Sequence, residues 1–473
     1  MNKNKLSVDY YQNIKAMDTA LRVDESFDLI KKNMTVSNVK IAFYYIDGFV
    51  SSAIMQKLMM HISSVKDFGD KSAGAAGKFA DESLPAVEVN VTDSLDDLIL
   101  AVMSGCTAMF ADGFGPNAII IDSRTYPARE TSEPENDKVM RGSRDGFVET
   151  LIFNTAMVRR RIRDPRLTVK YLNVGKISRT DIALCYLDGR ADKDYVDMLV
   201  HKIESLECES IILGHRSLSE ALVKKQWYNP FPKFRFTERP DAAAASIVEG
   251  AVIIFCDNSP EAIILPTTIF DYLQESDDYY FPPLTGTYLR IVRQIVFWAT
   301  MILTPLWYLL LQYETSLPQW LSFIIPQEPG LLPIIAQLFL TEFVLDGLKL
   351  ASLNTPSVLS NSLSVVGGLL LGDFAIQVGW LCPDVILYMA FVSIANFTQS
   401  SYELGYAFKY MRMITLLLTA VLGIFGFFAG IAVALILVST NKTVNGNRNY
   451  LYPLIPFNGK ALVRLFFRVK KND

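Results

Sequence analysis

The chain has 473 residues, 51% of them apolar and 20% charged, with a net charge of −4. That length exceeds one compact core, so at least two domains are expected, and the near-neutral balance argues neither for nor against nucleic acid. Cysteines 106, 185, 208, 256 and 382 are odd in number and lack CxxC spacing, and the three histidines (His61, His201, His215) have no ligand spacing. A disulfide framework and a metal site are therefore not expected, and no cofactor is predicted.

The start, Met1-Asn-Lys-Asn-Lys-Leu6, has no apolar h-region and no small-residue cleavage site. The first domain is expected to stay in the cytosol. A short polar segment (1–35) leads into an α/β subdomain (36–130), a polar linker around Thr131–Lys138 and a second α/β subdomain (139–280). The two subdomains read as a duplication. Val39-Lys-Ile-Ala-Phe-Tyr-Tyr-Ile-Asp-Gly48 is echoed by Thr180-Asp-Ile-Ala-Leu-Cys-Tyr-Leu-Asp-Gly189. Met109-Phe-Ala-Asp112 is echoed by Ile254-Phe-Cys-Asp257, and each leads through a proline turn (Pro116, Pro260) into another apolar strand. The offset stays near about 141–145 residues, and a constant offset across separate elements marks a repeat. Asp47-Gly48 and Asp188-Gly189 read either as carboxylates at strand ends or as turn residues, with glycine supplying a permissive φ. Neither GxGxxG nor a P-loop follows these strands, no nucleophile–base pair can be assembled, and enzymatic activity is not expected.

Between the subdomains' strands, the spacing of Phe147, Leu151, Val158 and Ile162 predicts a helix over 144–163. Asp145 near its start and Arg159–Arg163 near its end would complement the helix dipole. The arginines carry no interleaved aromatics, which favours subunit contacts or solvated charge over RNA.

Charge becomes sparse from Gln294 to Val438, and residues 289–440 read as a helical transmembrane domain of about four to five segments. Met413–Val438 has no charge at all and reads as one span. Gln294–Leu311 follows Arg290 and Arg293 and contains Pro305. Leu332–Leu350 carries Glu342, Asp346 and Lys349; Leu363–Leu381 carries Asp373; Val385–Phe397 is apolar but short. The loop Tyr313–Gly330 lacks Lys and Arg, while the tail (441–473) is basic, so both termini are expected inside. Both ends inside demands an even number of crossings, so one segment around Cys382-Pro-Asp384 would be re-entrant. Glu342, Asp346 and Lys349 share one helix face and, with Asp373, are candidates for an aqueous ion path or, with no pore, for internal Asp346–Lys349 pairing and Glu–Lys pairing between helices. Gly367, Gly368, Gly372, Gly426 and Gly430 allow close helix packing, and Gly423, Gly426 and Gly430 could equally line a narrow pore.

The run Arg141-Gly142-Ser143-Arg144-Asp145-Gly146-Phe147-Val148-Glu149-Thr150, continuing through Asn154 to Arg159–Arg166, resembles the A subunits of GerA-type spore germinant receptors. Phe236–Asp241, Pro283–Tyr288, Ser364–Ala375 and Tyr452–Phe457 extend the resemblance over about residues 35–460. Receptor A subunits more often read Gly-Pro-Arg-Glu-Gly-Phe, and the Ser-Arg-Asp wording here resembles the stage V sporulation AF branch. What the resemblance implies is a multi-pass protein of the spore inner membrane acting in germination. It implies a homo-oligomer, a pentamer in the family, that conducts monovalent cations. A second germination membrane protein is a further implied partner, and nucleic acid is not. It makes Arg141, Gly142, Arg144, Asp145, Gly146, Phe147, Glu149 and Asn154 a family motif at a subunit interface. The rival expectation is a scaffold of a germination signalling complex that conducts nothing.

Overall fold

The computed structural model describes residues 5–72, 74–84, 88–124, 142–223, 227–275, 277–328, 330–353, 375–398, 401–447 and 449–467. Packing divides the chain into an α/β unit (Met1–Lys225 with Phe234–Pro266) and a helical unit (Gln226–Lys233 with Thr267–Asp473).

In the α/β unit, β1 (Leu29–Val36) pairs antiparallel with β2 (Val39–Ile46) along its whole length. Ser37 and Asn38, both at positive φ, make the two-residue turn that right-twisted strands prefer. With β3 (Val89–Thr92), β4 (Thr107–Ala111) and β5 (Ala118–Ile121), the strands form an antiparallel sheet in the order β1-β2-β4-β5-β3. The second half repeats it with β6 (Leu167–Val174), β7 (Thr180–Leu187), β8 (Arg235–Thr237), β9 (Val252–Cys256) and β10 (Ala262–Leu265), ordered β6-β7-β9-β10-β8. The echo of β2 in β7, and of β4–β5 in β9–β10, is thus a repeated topology. Leu29–Val36, which apart from Val36 falls in the segment 1–35 that the sequence reads as polar, is an edge strand of the first sheet.

Helices cover both faces of each sheet, which is why the central strands read as continuous apolar runs. In β2 the period-2 alternation sends Ala42, Tyr44 and Ile46 into one core with α1 (Tyr10–Leu21) and α4 (Leu95–Met103). Ile41 and Phe43 enter the other core with α2 (Ser52–Ser63) and α3 (Ala75–Ser83). Each such fully buried large side chain contributes about 1.5–3 kcal/mol. In the second half, α5 (Leu151–Arg161) and α8 (Pro240–Val248) pack on Ala183, Cys185, Leu187, Ile253 and Phe255, while α6 (Lys193–Glu204) and α7 (His215–Leu222) complete the repeat. The helix expected over 144–163 is confined to α5. Residues 142–150 form irregular backbone ending at the N-cap Thr150, so Asp145 does not sit at a helix start.

The helical unit contains α9 (Pro283–Gln312), α10 (Ile334–Leu353), α11 (Pro383–Phe397), α12 (Tyr402–Leu422), α13 (Ile424–Thr440) and α14 (Gly459–Phe466). Among the described residues, α9 alone is long and apolar enough to cross a membrane, while α11 and α13 are shorter apolar helices. The 30 residues of α9 correspond to about 45 Å at 1.5 Å per residue. Pro305 lies inside it, and Asp277–Tyr280 forms a single helical turn before it.

The uncharged run Met413–Val438 is not one span. It breaks at Gly423, where φ is +58°, a conformation that costs a residue with a Cβ far more than glycine. The two halves fold back on each other as the α12–α13 hairpin. Gly426 lies so close to α12 that a Cβ would overlap the carbonyl oxygen of Leu418, and a Cβ on Gly430 would come 2.6 Å from Cα of Thr415. Leu363–Leu381 falls mostly outside the described residues, as do Gly367, Gly368, Gly372 and Asp373.

Candidate functional site

Within the helical unit, four charged side chains meet between α10 and α12. Arg412 Nε donates to Glu342 Oε1 at 2.9 Å, and its Nη2 also pairs with that oxygen. Its Nη1 donates to the Thr300 carbonyl of α9 at 3.0 Å. Lys409 Nζ lies 3.2 Å from Glu342 Oε2 and also pairs with Asp346. Arg412 is 1% exposed, and Glu342 and Lys409 are each 6% exposed. The i, i+4 spacing of Glu342 and Asp346 aims both carboxylates at one partner helix, and Lys409 and Arg412, three apart, answer from it. Asp346 thus finds a cation on α12. Lys349 Nζ lies 5.8 Å from the Tyr406 ring centroid. Lys409 and Arg412 were not singled out by sequence, because they precede the uncharged run and read as its flank.

A second ionic cluster anchors the start of α9. Asp278 is fully buried and receives Arg290 Nε at 3.0 Å and Arg293 Nη1 at 3.0 Å. Arg293 also reaches Glu275 at 2.9 Å and the Leu273 carbonyl at 3.2 Å, and Arg290 Nη1 donates to the Arg464 carbonyl at 3.0 Å. Sequence reasoning used these arginines only as orientation markers. The structure gives them a second role, tying the C-terminal segment to the base of α9.

The motif at 142–154 belongs to the α/β unit. Phe147 is 1% exposed and meets Phe255 edge-on at 4.9 Å between centroids. Asn154 is fully buried and clamps Val148 from both sides, accepting its N–H at 2.8 Å and donating to its carbonyl at 2.6 Å. Asn13 does the same to Ser7, at 2.8 and 2.7 Å, so the repeat extends to α1 and α5. Asp145 is half-buried. Burial raises its carboxyl, but hydrogen bonds from Arg161, at 2.7 Å, and from Ser143 outweigh this and hold it below the usual range. Gly146 is buried, whereas Gly142, Arg144 and Glu149 are exposed. Phe147 and Asn154 are thus spent inside their own chain, leaving Arg144 and Glu149 as the motif side chains open to a neighbour. Arg141 lies outside the described residues.

Other candidates resolve into structure. Asp47 Oδ1 accepts the Gly48 N–H at 3.0 Å, Gly48 and Gly189 have φ of +81° and +78°, and Asp188 meets Arg22 at 3.1 Å. Asp47 also borders an open cleft of about 510 Å³. His215 contacts Ser259 Oγ through Nδ1, and its Nε2 lies 2.8 Å from Glu261, an arrangement that sequence spacing could not reveal. Ser259 is 2% exposed, so this hydroxyl is closed to a substrate. The five cysteines are free, and burial pushes the Cys256 thiol up to about 12. Among the described residues, no group of three or more His, Cys, Asp or Glu could hold a metal ion.

Residues 16–473 match the Bacillus/Clostridium GerA spore germination protein family. The chain is 37% identical to stage V sporulation protein AF of Bacillus subtilis (strain 168), over 98% of this chain and 92% of that one. It is 27% identical to spore germination protein KA of the same strain, over 96% and 83%. It is 26% identical to the membrane protein YfkQ of that strain, over 93% and 85%. The N-terminal domain of the A subunit of the Bacillus megaterium spore germinant receptor GerK3 aligns with a TM-score of 0.41 at 23% identity, over 56% of this chain and 98% of that one. With the family matched over nearly its whole length, the chain belongs to the GerA family of spore germination proteins.

Proposed function

We propose that the chain is a membrane subunit of the germination apparatus, in which the helical unit forms, with copies of itself, a path for monovalent cations. The observation that carries this reading is the ionic cluster of Glu342, Asp346, Lys409 and Arg412 between two largely apolar helices. A charge near the centre of a bilayer costs about 2.5–3.5 kcal/mol, so such residues are kept for partners or for ions. Here the carboxylates are held by cations of α12, which describes a closed state. Separating α10 from α12 would release Glu342 and Asp346 to a water-filled path, where carboxylates favour cations. The location we propose is the spore inner membrane, with several crossings and both termini on the core side. Ion release down a gradient needs no catalytic residue. A homo-oligomer, of the pentameric kind the family resemblance implies, would use the exposed motif residues Arg144 and Glu149 at its contacts, and a second germination membrane protein is a further partner.

A second reading is a non-conducting scaffold, favoured by the same cluster, since four charges satisfied within one chain also serve as static glue. Efflux of potassium from proteoliposomes separates the two. Lys409→Gln frees Asp346 and is expected to raise basal efflux. Asp346→Asn and Asp373→Asn are expected to lower efflux while the oligomer persists. Efflux that is absent, or unchanged in every variant of a correctly assembled oligomer, would leave the scaffold.

A further inference from the structure

The C-terminal segment presents a surface that neither ionic cluster uses. From Leu404 to Asn472 the sequence contains no acidic residue. Within this stretch, the loop after Tyr450 is held in shape by its own bonds: Leu454 N to the Leu451 carbonyl at 2.7 Å and Asn458 N to the Pro453 carbonyl at 2.9 Å. Asn458 then caps α14 through the Ala461 N–H at 3.2 Å. Loop and helix are therefore organised, yet they display apolar groups outward: Leu454, Ile455, Phe457, Val463 and Phe467 are exposed, Phe457 by 76%. On α14 the inward side chains Leu462, Leu465 and Phe466 join the helical unit's core. Lys460 and Arg464 are exposed four residues apart, beside Val463 and Phe467 at the same spacing, so cations and apolar groups share one outward stripe.

We infer that this loop and helix form an interfacial anchor that docks on an anionic lipid surface. The occupant follows from charge and position. An apolar face flanked by lysine and arginine, in a stretch whose own sequence carries no acid, matches the boundary between negative headgroups and acyl chains. A second copy meeting the same patch would bring cation against cation. Arg290 of α9 binds the Arg464 carbonyl, so α14 lies at the end of α9 where its apolar stretch begins, the level of a headgroup layer. The inference rests on the membrane reading of α9 above, and the test keeps the two apart.

The full-length chain would be reconstituted in vesicles of mixed phosphatidylglycerol and phosphatidylcholine. The photo-reactive residue p-benzoylphenylalanine would stand at Phe457, at Phe467 or, on the exposed side of α9, at Ile295. Expected are lipid adducts at all three positions, with phosphatidylglycerol enriched over its mole fraction at 457 and 467. That enrichment should be lost in the Lys460→Gln/Arg464→Gln double variant while the Ile295 adducts persist. Lipid adducts at Ile295 with none at 457 and 467, or chain-to-chain cross-links there, would overturn the anchor alone. Failure at Ile295 would overturn the membrane reading beneath it. Adducts at 457 that track mole fraction with and without the two cations would remove the anionic preference.

Discussion

Asn13 and Asn154 show what a single side chain contributes here. Each is buried and spans a turn six residues upstream, supplying both a donor and an acceptor to one backbone unit. Removing such a group strands a buried N–H and a buried carbonyl, which costs about 1–3 kcal/mol. Asn154→Ala and Asn13→Ala are therefore expected to destabilise the full-length chain by similar amounts, of about that size, in thermal unfolding in detergent. A much smaller loss at either position would mean that the clamp is not symmetric between the repeats. The position five residues beyond each asparagine in the same helices has diverged instead. Asp18 of α1 takes Lys31 and Tyr44, whereas Arg159 of α5 reaches out of its own half to Asp28.

At the scale of the element, apolar strands ending in Asp-Gly were legible because a strand buried on both faces must be apolar throughout. The edge strand β1 was not, since its exposed positions, Lys32, Asn33 and Thr35, interrupt the pattern. The ion pairs of α10 were half legible. Glu342 and Asp346 stood out against an apolar background, but their partners lie some sixty residues on in another helix, and only the tertiary fold joins them. Hydropathy reads Met413–Val438 as one span because it averages over a turn flanked by apolar residues. The signal that could have found it is the glycine set Gly423, Gly426 and Gly430: one residue for the left-handed turn and two for close approach behind it. Gly426→Ala is expected to spread or unfold the α12–α13 hairpin, measured as a lower unfolding temperature of the full-length chain in detergent. Gly347→Ala in α10, where a Cβ meets nothing within 4 Å, is the matched control and is expected to be tolerated. Equal tolerance at the two sites would contradict the close packing.

For the molecule as a whole, duplication explains why two sheets share one strand order, and the repeat accounts for over half the chain. The halves are not independent, however. The Ser26–Asp28 turn of the first lies on the second. Phe27 N donates to the Val169 carbonyl at 3.1 Å, Ser26 Oγ accepts Val169 N at 2.9 Å, and Asp28 takes Arg159 at 2.9 and 3.0 Å with both side chains sealed from solvent. Breaking such a buried pair by losing one partner costs about 3–5 kcal/mol. The covalent link through residues 131–138 is then expected to be dispensable once folding is complete. A protease site inserted there and cut in the assembled full-length protein should leave the first 130 residues sedimenting with the membrane fragment, and Asp28→Ala should let them go. Two separately encoded polypeptides meeting at this seam would rebuild the unit by complementation, so the gene could be split at this linker and still specify a working whole.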